Sequence, residues 1–170
     1  MGEIVNKIKQ SKLETVDLET FLEGETLSVI DIKPFLFKEM LLKEEKFRSH
    51  LEEHDWSQYN DHWLAVKCSS DAIIPAWAWM LTTAYAQPYV KDVIVGDEED
   101  LRMELLKQRI ARYDWEKYQG RFVLLKGCSK QKIPAGAYLE ATKRLIPVVN
   151  KLMYGEACSN VPVYRKPRKR

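Results

Sequence analysis

The 170-residue chain has no apolar run near the roughly 20 residues that a membrane-spanning helix needs, so no helical membrane anchor is expected. Its first residues, Met1-Gly2-Glu3-Ile4-Val5-Asn6, have neither a basic stretch nor an apolar core, and no secretory signal is expected. Asn6 stands where a myristoylation motif requires Ser or Thr. Cysteine is scarce. The three present, Cys68, Cys128 and Cys158, are odd in number and widely spaced, which argues against a disulfide framework. Glycine and proline are sparse as well, seven of each, which removes collagen-like and low-complexity readings. No P-loop, G-x-G-x-x-G or G-x-S-x-G pattern occurs. A cytoplasmic protein is expected.

What is present is core material: 45 % hydrophobic residues against 31 % charged, with five Trp and eight Tyr. A chain of this length buries about 70 % of its unfolded surface, enough for one globular domain without covalent staples. The formal charge of +2 is unevenly spread. Residues 165–170, Arg-Lys-Pro-Arg-Lys-Arg, carry five positive charges, so the remainder is mildly acidic. The tail reads as a solvated terminus; without a zinc-finger pattern, an RNP-like strand or helix-turn-helix spacing, no nucleic-acid partner is expected.

An internal repeat organises the chain. Asp55-Trp56-Ser57-Gln58-Tyr59 returns as Asp114-Trp115-Glu116-Lys117-Tyr118, an offset of 59. Trp63-Leu64-Ala65-Val66-Lys67-Cys68-Ser69 matches Phe122-Val123-Leu124-Leu125-Lys126, an extra Gly127, and Cys128-Ser129. Register then returns at Ile74-Pro75-Ala76 and Ile133-Pro134-Ala135, and holds through Pro88 and Pro147 to Gly96-Asp97 and Gly155-Glu156. Each unit, about 55–97 and 114–158, reads as an apolar strand, a turn carrying the cysteine, a proline-started helix, and a second strand that stops at glycine.

Between the units, Asp97 to Tyr113 carries a helical stripe of Leu101, Leu105, Leu106 and Ile110, with acids at its start and Lys107, Arg109 and Arg112 near its end, as the helix dipole favours. Lys43 to His54 predicts a similar helix. Ahead of these, Thr26 to Ile32 predicts a strand and Leu13 to Leu18 an edge strand or helical turn. The expected fold is α/β: one domain over residues 1–164 with two strand–helix–strand repeats and a mainly parallel sheet, followed by the basic tail at 165–170.

In that fold each cysteine follows a strand and precedes a serine, which places all three at the carboxyl ends, where open α/β sheets bind ligands. Taken singly, a free cysteine fits a small buried hydrophobe; the shared placement points to a site. Cys68 and Cys128 are expected beside helix amino termini, capped by Ser69, Ser70 or Asp71 and by Ser129, with Lys67 and Lys126 adding positive charge. Three thiolates suit zinc or an iron–sulfur cluster, and a fourth ligand could come from Asp71, Glu156 or His54. His50, His54 and His62 are close in sequence without a metal-binding spacing.

The runs Cys68-Ser69-Ser70-Asp71-Ala72-Ile73-Ile74-Pro75-Ala76-Trp77-Ala78 and Met153-Tyr154-Gly155-Glu156-Ala157-Cys158-Ser159 resemble an uncharacterised bacterial family, domain-of-unknown-function family 2480. His54-Asp55-Trp56-Ser57-Gln58-Tyr59 and Lys126-Gly127-Cys128 carry the same resemblance, which extends over nearly the whole chain. It implies no established reaction. It does imply an association with iron–sulfur assembly genes, and hence iron–sulfur assembly proteins as partners.

Three functions are therefore expected as alternatives. One is a metal-handling accessory factor using Cys68, Cys128 and Cys158. The second is a thiol enzyme or persulfide relay using Cys68 or Cys128. The third is a protein-interaction module or homodimer, because Trp77, Trp79, Tyr85 and Tyr89 stand against Gly136, Tyr138, Arg144 and Val148 in the second copy.

Overall fold

A computed structural model describes residues 13–127 and 130–167. In chain order the elements are β1 (Leu13–Asp17), β2 (Leu27–Asp31), α1 (Glu44–Glu53), β3 (Trp63–Lys67), α2 (Ala76–Ala86), β4 (Asp92–Val95), α3 (Glu98–Arg112), β5 (Phe122–Lys126), α4 (Ala135–Leu145), β6 (Lys151–Glu156) and β7 (Ser159–Arg165). The fold is mixed α/β with mainly parallel strands, as the sequence predicted. The strands form two sheets rather than one, ordered β2-β3-β4 and β1-β5-β6-β7.

Each sheet belongs to its own compact unit: a central unit, residues 24–105, and an outer unit made of residues 1–23 and 106–170. Each repeat thus has its own sheet, and the third strand of each comes from the amino-terminal segment. β2 pairs in parallel with β3, and β1 with β5. These two added strands are themselves related. Leu13-Glu14-Thr15-Val16-Asp17-Leu18 and Leu27-Ser28-Val29-Ile30-Asp31-Ile32 match at an offset of 14, and Phe21-Leu22 falls on Phe35-Leu36. Both strands run into short 3₁₀ segments, Leu18–Leu22 and Lys33–Phe35. This second repeat escapes the longer comparison because it lies in tandem, outside the offset of 59.

The repeat units fold as their apolar runs dictate. Leu64, Ala65 and Val66 of β3 and Val123, Leu124 and Leu125 of β5 are buried, as in a strand covered on both faces. In the central unit Leu64 and Val66 pack with Ile32, Phe47, Leu51, Trp56, Ala78 and Ala86. In the outer unit Leu18, Ala137, Ala141, Leu145 and Leu152 are buried at most 1 % exposed. Pro75 and Pro134 stand one residue ahead of their helices, as the capping residues. Pro88 and Pro147 lie just past the helix ends at Ala86 and Leu145, where a missing N–H costs nothing.

One strand departs from the sequence reading. β6 does not stop at Gly155; it runs through Glu156 and turns at Ala157-Cys158 into the antiparallel β7. Gly155 has φ +117°, and a Cβ there would come within 2.7 Å of the Ser159 carbonyl oxygen, so glycine admits the returning strand instead of ending the first one. β7 takes in Arg165, paired with Lys151, and the Lys166 N–H donates to the Asn150 carbonyl at 3.0 Å. The basic run therefore begins within the sheet.

Candidate functional site

The carboxyl ends of both parallel sheets carry the same charge pattern. In the outer unit the Lys126 ammonium lies 3.4 Å from Asp17 and 3.6 Å from Glu156, and the Asp17 carboxylate, then the Glu156 charge, hold the lysine pKa above its usual range. In the central unit the equivalent residues are Lys67, Asp31 and Asp97. Burial alone would raise the Asp31 carboxyl, but hydrogen bonds from Ser69 and Lys33 and the Lys67 charge hold it below the usual carboxylate range. Asp97 is also held low, by the N–H groups of Asp100 and Glu99 and by the Lys67 charge. Asp17 and Asp31 were missed in the sequence reading. The repeat at offset 14 is the signal that identifies them.

Cys68 sits at this end of the central unit, half-buried, with its Sγ 3.2 Å from Ser70 Oγ. It lines a cleft of about 350 Å³ with Lys67, Ser70, Ile74, Trp79 and Val95. The expected helix terminus is not beside it in sequence: residues 68–75 form a loop before α2 begins at Ala76, and no side chain caps that helix. The residues read as caps serve the loop itself. The Ser69 N–H donates to Asp31 Oδ1 at 3.1 Å, Ser70 Oγ accepts from the Ala72 N–H at 3.3 Å, and Asp71 is exposed. Cys68 thus lies at a strand end in a strapped loop, with Trp79 from the first turn of α2 lining the same cleft.

Cys158 is exposed in the two-residue turn between Glu156 and Ser159. It does follow a strand, but at a hairpin. Cys128 and Ser129 lie outside the described residues. The loop after them is held by Glu19, a buried carboxylate whose Oε1 accepts the Lys130 N–H at 2.9 Å and the Gln131 N–H at 3.4 Å. Among the described residues, no three His, Cys, Asp or Glu side chains converge as a metal-holding group.

His54 belongs to an aromatic cluster. Its ring lies 4.7 Å from Trp56, 5.5 Å from Phe35 and 5.8 Å from Tyr59, and burial keeps its pKa below the usual imidazole range. The outer unit repeats the cluster with Tyr113 in place of the histidine, packed on Phe21, Trp115 and Tyr118. The indoles are pinned alike: Trp56 Nε1 donates to the Leu51 carbonyl at 2.7 Å, and Trp115 Nε1 to the Ile110 carbonyl at 2.8 Å. This explains the repeated Asp-Trp-x-x-Tyr. The other two histidines have separate partners, His50 the Phe35 carbonyl and His62 the Ser28 hydroxyl.

The outer unit has an apolar groove of about 580 Å³ lined by Tyr138, Leu139, Met153, Tyr154 and Val163, among others. Tyr138 and Tyr154 meet nearly edge-on at 5.5 Å. Their counterparts at the offset of 59 are Trp79 and Val95, which line the Cys68 cleft. Trp79 therefore faces that cleft, while Trp77 packs on Phe47 beneath the Arg48 guanidinium.

Among the described residues no helix is long and apolar enough to cross a membrane. The model of a family described as protein of unknown function (DUF2480) matches residues 2–166. No curated protein and no solved structure matches.

Proposed function

The chain belongs to the DUF2480 family, and we propose that its working group is the Cys68 thiol, acting as a relay for sulfane sulfur. The supporting observation is the place of Cys68: of the two described cysteines, it is the one that lines a cleft at the carboxyl end of a parallel sheet. Ser70 Oγ is within reach to donate to a sulfur anion, and Lys67 offers a cation to an anionic persulfide. In the proposed step the Cys68 thiolate attacks the terminal sulfur of a donor persulfide. A bond forms between Sγ and that sulfur, the donor S–S bond breaks, and the donor leaves as a thiolate that takes up the proton Cys68 released. The sulfane sulfur changes carrier, with no net oxidation or reduction.

Reduced protein incubated with glutathione persulfide should gain one sulfur atom on Cys68, located by peptide mass mapping. Iodoacetamide should modify Cys68 faster than exposure alone explains, and Cys68→Ser should abolish both signals. A Cys68 that takes up no sulfur and alkylates no faster than Cys158 ends this reading.

A second reading, a carrier of zinc or an iron–sulfur cluster working with iron–sulfur assembly proteins, draws support from Cys158. That residue follows Glu156 at the end of β6, beside β5, the strand after which Cys128 falls in sequence. Anaerobic purification with metal and sulfide analysis separates the two. Bound metal lost in the Cys→Ser variants supports the carrier; equal, negligible metal in wild type and variants removes it.

A further inference from the structure

The two units differ at one edge. In the outer unit β6 is covered by the antiparallel β7, whose Val163 lines the apolar groove beside Leu139 and Tyr154. In the central unit the equivalent strand, β4, is the last in its sheet among the described residues. The counterparts of Leu139 and Tyr154 are Met80 and Val95, which are 71 % and 60 % exposed. The Gly96 N–H donates inward to the Val66 carbonyl, so strand alternation turns the N–H groups of Val93 and Val95 outward. That of Val93 is taken by the Asp92 side chain at 2.9 Å, a local contact that an incoming strand can replace.

We infer that the β4 edge receives an extended segment of a partner protein, laid antiparallel as β7 lies on β6, with an apolar residue over Met80 and Val95. The charge around β4 defines the segment further. Asp97, Glu98, Glu99 and Asp100, all exposed, crowd the carboxyl end of the strand; Arg102 pairs with Glu98 and the Lys67 charge acts on Asp97, so the acids there outnumber the two cations facing them, beside the positive start of α3. An antiparallel segment brings its amino-terminal residues to that end, as Ser159 of β7 lies opposite Glu156. The partner segment is therefore basic at its amino-terminal end and alternately apolar after it, a strand-addition mode in which the backbone gives affinity and the groove gives selectivity. This inference does not depend on the Cys68 chemistry.

The probe is a synthetic peptide of residues 159–165 with two lysines added at its amino end, titrated into isotopically labelled full-length protein. Saturable shifts and slowed amide exchange at Val93 and Val95 are expected, and the affinity should fall with rising salt. Val95→Pro removes an outward donor from an edge strand, where proline is tolerated, and should weaken binding by about tenfold or more. Met80→Asp, at an exposed helix position, should weaken it without disturbing the fold. A peptide with Val163→Asp should bind poorly. The inference is overturned by no saturable binding up to about 1 mM peptide, or by binding that both protein variants leave unchanged. It is also overturned if wild type self-associates through β4, because the occupant is then a second copy of this chain.

Discussion

His54 and Tyr113 occupy one position in two copies of the same aromatic cluster, each set against a phenylalanine, a tryptophan and a tyrosine. The histidine titrates near neutrality in a place that the second copy fills with a tyrosine whose hydroxyl is 2.9 Å from that of Tyr118. Its folded pKa is depressed by burial, so the unfolded chain binds the proton more tightly. Stability from this residue is full above the unfolded value of about 6.5 and declines as pH falls below it. His54→Tyr should reduce the loss of stability between about pH 8 and pH 5, measured by urea denaturation at each pH. An unchanged pH dependence would show that His54 is solvated in the folded state.

The buried indoles give a matched pair. Trp56→Phe and Trp115→Phe each remove one N–H bond to a carbonyl, and each should cost about 1–2 kcal/mol in chemical denaturation. Unequal losses would mean that the two copies relax differently around the same defect.

Glu19→Ala should cost about 1–3 kcal/mol, because a carboxylate that accepts two backbone N–H groups while nearly buried is lost with nothing to replace it. The loss should be local: faster amide exchange at Lys130 and Gln131, with the β3 amides unaffected.

Gly155→Ala tests the hairpin. Its positive φ and the approach of the Ser159 carbonyl leave no space for a methyl group, and a cost of about 1–3 kcal/mol is expected. Increased amide exchange along β7 is the readout. Gly24, also at positive φ but with nothing within 4 Å of an added Cβ, should cost less when changed to alanine.

The repeat was legible because its markers are chemically distinctive: Trp56 and Trp115 need a core position and an acceptor, while Pro75 and Pro134 need a helix boundary. The strands of the amino-terminal segment were harder to place. β1 is partnered by β5, Leu13 opposite Phe122, and no local pattern encodes a partner so distant in sequence. β7 was hidden because its valines, Val161 and Val163, remain exposed and Arg165 resembles the start of a tail. At Cys68 the spacing correctly indicated a strand end. The assignment of Ser69 and Asp71 as caps failed because α2 begins only at Ala76, with Pro75 at the capping position, while Asp31 from another strand straps the intervening loop through the Ser69 N–H. That competition is tertiary, and sequence proximity does not reveal it.

The division of the chain also fixes an order of assembly. The central unit is one uninterrupted stretch, residues 24–105, whereas the outer unit holds its first strand on one side of that stretch and every other strand on the far side. As the polypeptide leaves the ribosome, β2, β3 and β4 emerge, and can pair, before β5 does. β1 emerges ahead of them and meets its partner β5 only after the central strands and α3 have been passed, so the outer unit completes its sheet after the central one can. A nascent chain emerged from the ribosome as far as the end of α3 would carry every strand of the central sheet and, upstream of it, a strand that has not yet met its partner.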